Sequence, residues 1–182
     1  MWLLETVQTP SSQQSIRWGV RIATLSCAIL LASPAKAEGW LFDAEVGLTA
    51  GIEGNNPGAD SLAWQRARSR LFGGVEMRND EEDEVGYGFR LYSEFEKQGS
   101  LGGEARYARY LGNFGLYGAV GGIVFPRSLL GVSMGARYVL ELPKDWGLLV
   151  EPSFSAMPLG GDLPEDSVLL WGLLSVGLRL GV

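Results

Sequence analysis

The sequence of 182 residues contains no histidine and a single cysteine. Without histidine, the chain lacks the side chain that most often serves as general base and metal ligand. One cysteine cannot form an internal disulfide or a cysteine-cluster zinc site. The net charge of −6 argues against a nucleic-acid partner, which needs a basic face. No apolar run is long enough for a membrane-spanning helix. We therefore expect no cofactor, no metal ion and no nucleic acid.

The N-terminal segment has the features of a cleaved secretory signal peptide. A pair of arginines precedes the eleven-residue apolar run Ile22–Ala32, and an Ala-Lys-Ala cleavage sequence ends at Ala37. The run is too short to cross ~30 Å of hydrocarbon as a helix. Cys27 lies too close to the start of the run for a lipoprotein site. We predict a signal peptide at residues 1–37 and one mature domain at residues 38–182.

Apolar and polar residues alternate with a period of two through most of the mature domain. In the last thirteen residues the even positions are apolar or glycine, and the odd positions are mostly small or polar. Side chains of a strand alternate between its two faces, so this pattern predicts a strand with one apolar face. The eight predicted strands are Trp40–Ala50, Ala63–Met77, Val85–Glu96, Gly103–Leu111, Phe114–Phe125, Leu130–Leu142, Trp146–Ala156 and Leu170–Val182.

Long and short connections alternate between these strands. Gly51–Leu62 and Pro158–Ser167 are long, whereas Gly112-Asn113 and the sequence Pro-Lys-Asp at 143–145 are tight turns. Long loops on one rim and short turns on the other are typical of bacterial outer-membrane barrels. Because lipid cannot hydrogen-bond to backbone groups, a sheet in a membrane must close. The pattern predicts an all-β fold, an eight-stranded antiparallel up-and-down transmembrane β-barrel, with both termini on the short-turn rim.

A water-soluble sandwich or lipocalin-like barrel is the alternative, because its strands also alternate. Two features favour the membrane. The polar face combines many glycines with scattered arginine and glutamate, as expected inside a narrow barrel. The apolar face carries aromatic residues near strand ends, as in the interfacial girdles of membrane barrels. These aromatic residues are Trp40, Trp64, Tyr138, Trp146 and Trp171.

The C-terminal segment resembles the targeting signal of outer-membrane barrels, polar-x-Gly-x-x-apolar-x-apolar. Ser175, Gly177, Leu180 and Val182 fill its positions, with Val182 where an aromatic residue is typical. The mature chain resembles the small eight-stranded Gram-negative outer-membrane β-barrel proteins of the outer-membrane protein A transmembrane-domain type. The resemblance implies a place in the Gram-negative outer membrane, contact with its lipids, and biogenesis through periplasmic chaperones and the barrel assembly machinery. Since the chain ends at this segment, no periplasmic domain is expected after the barrel.

If the faces are assigned in this way, seven arginines and eight acidic residues line the lumen. They are Asp43, Glu45, Arg66, Arg68, Arg70, Glu76, Arg90, Glu94, Glu96, Glu104, Arg106, Arg137, Glu141, Glu151 and Arg179. Side chains fill the interior of an eight-stranded barrel, and unpaired charges there are costly. We therefore predict a plug of ion pairs, with a narrow ion path as the alternative.

Three further motifs bear on possible chemistry. The sequence Gly-Val-Ser-Met-Gly around Ser133 matches the G-x-S-x-G elbow, but that elbow needs a strand-to-helix turn and a histidine. The acidic run Asn79–Glu84 predicts a solvated turn, with weak divalent-ion binding as the alternative. Pro152 predicts a bulge in its strand, with a lateral opening toward lipid as the alternative. We expect a non-enzymatic outer-membrane protein with a structural or interaction role; a narrow pore or transporter and a lipid-modifying enzyme are the alternatives.

Overall fold

The computed structural model describes residues 40–57, 63–79, 85–95, 99–161, 163 and 167–181, and these form eight strands. The strands are β1 Trp40–Pro57, β2 Ala63–Asn79, β3 Val85–Glu94, β4 Ser100–Leu111, β5 Phe114–Phe125, β6 Leu129–Glu141, β7 Trp146–Gly160 and β8 Ser167–Gly181. Each strand pairs antiparallel with the next, and β8 pairs with β1, so the sheet closes into a barrel. The predicted fold class and strand number are confirmed. The predicted signal peptide lies outside the described residues and stays a prediction.

Side-chain exposure alternates along the strands as the sequence predicts. On β8, Leu174 and Val176 are exposed, whereas Leu173 and Ser175 are buried. The exposed positions of the strands are mainly apolar, and the buried positions include most of the charged residues. In the described part of the chain, no helix is long and apolar enough to cross a membrane. The barrel is therefore apolar outside and polar inside, the reverse of a water-soluble domain.

The tight turns lie where the sequence predicts them. Gly112 adopts φ = 62° between β4 and β5, a left-handed conformation that glycine tolerates without steric cost. Between β6 and β7, Lys144 and Asp145 have φ values of 67° and 60°. Two successive left-handed residues match the right-handed twist of the flanking strands. The Asp145 carbonyl accepts a hydrogen bond from Gly181 N at 2.8 Å, which ties this turn to the end of β8.

The predicted bounds of the loops Gly51–Leu62 and Pro158–Ser167 are wrong, because both loops are shorter in the structure. β1 continues to Pro57, β7 continues to Gly160, and β8 begins at Ser167. The added segment of β1 reads Gly-Ile-Glu-Gly-Asn-Asn-Pro and has no regular alternation. It is a strand because it pairs on both sides, with Asn55 opposite Ala63 of β2 and Leu169 of β8. Cross-strand pairing, rather than an apolar face, defines this part of the barrel.

Pro152 does not produce the predicted bulge. Gly135 pairs with Ser153, and Tyr138 pairs with Val150, so the β6–β7 register is the same on both sides of Pro152. Proline has no N–H to donate, so the ladder loses pairs at this point without gaining an inserted residue. The only register shift between the described parts of β6 and β7 lies farther along, between Leu130 and Val132.

Glycines on the inner wall leave room for tyrosine rings. A Cβ atom at Gly135 would lie 2.7 Å from the ring of Tyr117, its neighbour across the β5–β6 pair. A Cβ atom at Gly115 would lie 2.8 Å from the ring of Tyr110, its register partner on β4. Rings that lie over cross-strand glycines fill the narrow interior and pin the register. This explains much of the glycine on the polar face.

Candidate functional site: the charged lumen

The centre of the lumen is a cluster of three arginines around Glu151 of β7, which is 0% exposed. Arg90 Nη1 and Arg106 Nη2 donate to Glu151 Oε1 at 2.8 and 2.7 Å. Arg137 Nε donates to the other oxygen, Oε2, at 3.0 Å. The arginines come from β3, β4 and β6, so one carboxylate joins four strands. Charge-assisted hydrogen bonds of this kind are the strong ones in proteins.

Two further carboxylates extend the cluster toward the short-turn rim. Glu45 accepts from Arg90 Nη2 at 2.8 Å and from Arg137 Nη2 at 2.7 Å. Glu76 accepts from Arg137 Nη1 at 2.9 Å and from the Tyr110 hydroxyl. Each partner satisfies a charge that would be costly to bury alone. The network therefore connects strands that are not neighbours in the sheet.

A second cluster lies toward the long-connection rim, around Trp171. Arg68 donates to Glu53 and to Glu94, and Arg70 Nε donates to Glu94 at 2.7 Å. The guanidinium carbons of Arg68 and Arg70 lie 4.7 and 4.3 Å from the centre of the Trp171 ring. Trp171 Nε1 donates to Glu53 at 2.9 Å. Arginine suits this position because its planar group pairs with carboxylates and stacks on rings at once.

A third cluster lies at the start of β1. Asp43 accepts from Arg78 Nε at 2.7 Å and pairs with Arg179 Nε at 3.0 Å. The three clusters together join seven arginines to seven carboxylates. They are Arg68, Arg70, Arg78, Arg90, Arg106, Arg137 and Arg179 with Asp43, Glu45, Glu53, Glu76, Glu94, Glu104 and Glu151.

Ten of the fifteen predicted lumen residues are buried. They are Asp43, Glu45, Arg68, Arg70, Glu76, Arg90, Glu94, Arg106, Arg137 and Glu151. Glu104 and Arg179 are half-buried and take part in ion pairs. Arg66 and Glu141 are exposed and lie near the ends of β2 and β6. Glu96 lies outside the described residues.

Sequence reasoning missed three members of these clusters. Glu53 falls in the predicted loop Gly51–Leu62, and Arg78 lies one residue beyond the predicted end of β2. Trp171, predicted as part of the outer aromatic girdle, is 0% exposed. Its odd position on β8, like that of Ser175, places it on the inner face. Strand parity was therefore the better guide than residue type, and it also places Arg78 on the face of Glu76.

A small cavity of about 20 Å³ lies between the clusters. That volume holds about one water molecule. Its wall includes hydroxyl groups that pair with each other, Thr49 with Ser175 and Ser133 with Ser155, both at 2.8 Å. Ser133 is thus a lumen residue in the middle of β6 and not on a strand-to-helix turn. The G-x-S-x-G match has no structural counterpart here.

The outer face carries aromatic residues at the short-turn rim. The ring centres of Trp40 and Tyr87 are 6.3 Å apart, and those of Tyr87 and Tyr107 are 5.5 Å apart. Tyr138 and Trp146 are exposed on the far side of the same rim. Aromatic rings at this level are typical of the boundary between lipid and water. The side chain of Trp64 lies outside the described residues.

The predicted C-terminal assembly segment forms the end of β8, which closes the barrel against β1. Ser175 is buried, Gly177 faces the lumen, and Leu180 is half-buried on the outer face. A Cβ atom at Gly177 would lie 2.6 Å from the carbonyl oxygen of Val46. Val182 lies outside the described residues. The role of this segment in assembly stays a prediction.

No group of three or more possible metal ligands occurs in the part of the chain that the structure describes. Asp80–Glu84, the bulk of the acidic run, lie outside the described ranges, and weak divalent-ion binding at this turn stays a prediction.

No protein-family model matches the chain, and no curated protein matches it. Among solved structures, it is similar to the attachment invasion locus protein Ail of Yersinia pestis, at 9% identity and a TM-score of 0.37, over 76% of this chain and 98% of that one. The complex of Ail with the heparin analogue sucrose octasulfate matches at 12% identity and a TM-score of 0.35, over 76% and 99%. Neisserial surface protein A matches at 13% identity and a TM-score of 0.42, over 76% and 96%. Likenesses this distant do not extend beyond the barrel fold, which the strand pairing itself defines.

Proposed function

We propose that this protein is a Gram-negative outer-membrane β-barrel with a structural or interaction role, whose lumen is closed by ion pairs. The observation that carries the proposal is the inversion of polarity: charges are buried inside, and apolar side chains are exposed outside. A water-soluble protein with so large a continuous apolar surface would aggregate. In lipid, the same surface is the stable arrangement.

Strand length supports the membrane setting. A tilted transmembrane strand needs about 9–11 residues. The eight strands contain between 10 and 18 residues, so each is long enough to cross. Met134, near the middle of β6, is 66% exposed, as expected for a side chain in contact with lipid.

The filled lumen supports a role without a wide channel. The arginine–carboxylate clusters cross the interior from β1 to β6, and buried aromatic and apolar residues pack in two further clusters inside the barrel. The cavity between them has room for about one water molecule. A continuous water path would require several of these ion pairs to separate.

Fractionation and heat-modifiability test the membrane assignment. The expressed chain should be found with outer membranes and should migrate faster in detergent gels before boiling than after, because folded barrels resist unfolding by the detergent. A processed chain that stays soluble and monomeric without detergent would contradict the proposal.

Planar-bilayer recordings test the closed lumen. Folded, heat-modifiable protein should give no channel events above the detergent control. Reproducible conductance steps that disappear when the protein is boiled would favour the narrow pore instead.

The lipid A mass spectrum of cells expressing the protein should be unchanged, because the chain has no histidine for acid–base catalysis. A new lipid A species would support the enzyme alternative.

The proposal includes assembly through periplasmic chaperones and the barrel assembly machinery, with the end of β8 as the recognised segment. Cells depleted of the assembly machinery should accumulate the chain in a form that is not heat-modifiable. Normal heat-modifiability in depleted cells would contradict this part of the proposal.

A further inference from the structure

Two charged side chains on the wall of the lumen cavity, Arg70 of β2 and Glu104 of β4, use only part of their hydrogen-bonding capacity. Arg70 is buried, with 6% of its surface exposed. Its Nε donates to Glu94 at 2.7 Å, whereas its Nη2 has no hydrogen-bond partner in the described part of the chain. Leaving a buried donor without an acceptor costs free energy. A further acceptor for this guanidinium would therefore stabilise the barrel.

Glu104 makes the longest ion pairs of the seven carboxylates in the lumen clusters. Its Oε1 lies 3.5 Å from Arg106 Nε and 3.9 Å from Arg90 Nη1. Both distances exceed the range of about 2.7–3.2 Å for an N–H···O hydrogen bond. Arg106 Nε is itself a buried nitrogen without a hydrogen-bond partner among the described residues. An ionised carboxylate can accept about four hydrogen bonds, so Glu104 has acceptor capacity left at the cavity.

Hydroxyl groups form much of the remaining wall. Thr49 pairs with Ser175, and Ser133 pairs with Ser155, each at 2.8 Å. A hydroxyl group has one hydrogen to donate and two lone pairs that accept. Because only one hydroxyl of each pair donates to the other, the second hydroxyl keeps its hydrogen for a further acceptor. The cavity therefore offers both donors and acceptors to a small polar molecule.

The size and the charge of the cavity favour water over an ion. Its volume of about 20 Å³ accommodates about one water molecule. On its wall, Arg70 and Arg90 are balanced by Glu104 and Glu151. A halide ion would add a buried negative charge without a counter-charge, and such a charge is costly. A buried water molecule typically makes about three hydrogen bonds to polar groups that lack other partners, which matches this wall.

We propose that one ordered water molecule in this cavity bridges the Arg70 guanidinium and the Glu104 carboxylate, with a wall hydroxyl as its third partner. Arg70 belongs to the cluster around Trp171, and Glu104 belongs to the central cluster. The water molecule therefore joins two groups of ion pairs into one network. Such a bridge is nearly as favourable in enthalpy as a direct hydrogen bond.

A crystal structure of the folded wild-type chain, grown with sodium bromide as the probe for anions, tests the site. We expect density for one solvent atom within about 3.2 Å of both the Arg70 guanidinium and the Glu104 carboxylate, without anomalous signal from bromide. An anomalous peak in the cavity would assign an anion site and overturn the proposal. An empty cavity, or a solvent atom that contacts only the hydroxyl groups, would also overturn it.

A double-mutant cycle in lipid vesicles tests the connection between the two clusters. Arg70→Lys keeps the positive charge but removes the planar set of donors, and Glu104→Met removes the acceptor. If the water bridge joins them, the combined effect on the equilibrium constant for unfolding should be about fivefold smaller than the product of the single effects. Effects that multiply to within about twofold would overturn the proposal.

Arg78→Lys combined with Glu104→Met is the matched control. Arg78 lies on the same strand as Arg70 but pairs with Asp43 at the other end of that strand. It is not part of the cavity wall. The effects of these two changes should therefore multiply to within about twofold. If a variant does not fold, the crystal structure of the wild type decides between the outcomes.

Discussion

Arg137 Nη2 donates a hydrogen bond to Glu45 Oε2 at 2.7 Å, although 92 positions separate the two residues. Arg137 belongs to β6 and Glu45 to β1, which are not neighbours in the barrel, so this bond crosses the lumen. Sheet hydrogen bonds hold only adjacent strands together. Ion pairs such as this one connect opposite walls. The side chains that fill the lumen therefore contribute to the stability of the barrel.

Glu151→Gln tests the importance of the central cluster. The change leaves three guanidiniums around a neutral side chain, and breaking a buried charge cluster costs about 3–5 kcal/mol. We expect that loss in the free energy of unfolding, measured by urea titration in lipid vesicles. Glu141→Gln, at the exposed end of β6, is the matched control and should change stability by less than about 0.5 kcal/mol. Equal effects of the two changes would contradict a stabilising central cluster.

Trp171 and Trp146 test which tryptophan lies inside. Trp171 is 0% exposed beneath Arg68 and Arg70, whereas Trp146 is 42% exposed on the outer face. Trp171→Ala should cost about 3–5 kcal/mol of unfolding free energy, because it leaves a cavity and removes the donor to Glu53. Trp146→Ala should cost less than about 1 kcal/mol. The reverse order of the two unfolding midpoints would place Trp171 in the outer girdle.

Gly135→Ala tests the close contact between glycine and tyrosine on the inner wall. The new methyl group would lie 2.7 Å from the Tyr117 ring and 2.6 Å from the Pro152 carbonyl oxygen. Overpacking of this kind costs about 1–3 kcal/mol. Gly118→Ala is the control, because its methyl group would meet nothing within 4 Å. If both variants unfold at the same urea concentration as the wild type, the space between Gly135 and the Tyr117 ring is not as tight as the structure indicates.

The sequence predicts the strands best where the outward-facing side chains are apolar, near the middle of the barrel wall. Leu174, Val176 and Leu178 alternate with buried residues, so periodicity identifies both the strand and its faces. Toward the ends of the strands, outward-facing side chains contact water and can be polar. Residues 51–57 therefore look like a loop in sequence although they pair on both sides. Glu53 was missed for this reason, since no pattern of its own placed it in a strand.

The partners within the lumen could not be predicted from alternation. Parity shows that Glu45 and Arg137 face inward, but their contact depends on strand tilt, register and the length of two long side chains. Trp171 shows a related limit. Its residue type is common at membrane interfaces, and only its parity on β8 indicated the lumen. Once the register between strands is known, it shows which inward side chains lie at the same level of the lumen, as Arg68, Arg70 and Trp171 do.

Met134→Arg tests the medium outside the barrel. Met134 is 66% exposed near the middle of β6, and arginine at the midplane of a bilayer costs about 2–4 kcal/mol. Leu159→Arg, close to the end of β7 and 60% exposed, should cost only about 0–1 kcal/mol at the interface. Urea unfolding in vesicles measures both. Two changes of similar, small size would indicate water rather than lipid at Met134.

The most direct test of the account is the accessibility of spin labels along β8. The labels would be attached singly to Leu174→Cys, Val176→Cys, Leu178→Cys and Ser175→Cys in the mature domain, residues 38–182, which contain no native cysteine. In vesicles, the three outward labels should collide with dissolved oxygen and be shielded from a water-soluble nickel complex, whereas the inward label at position 175 should be shielded from both. Strong relaxation of the outward labels by the nickel complex would show that water contacts this face, and it would contradict the membrane barrel.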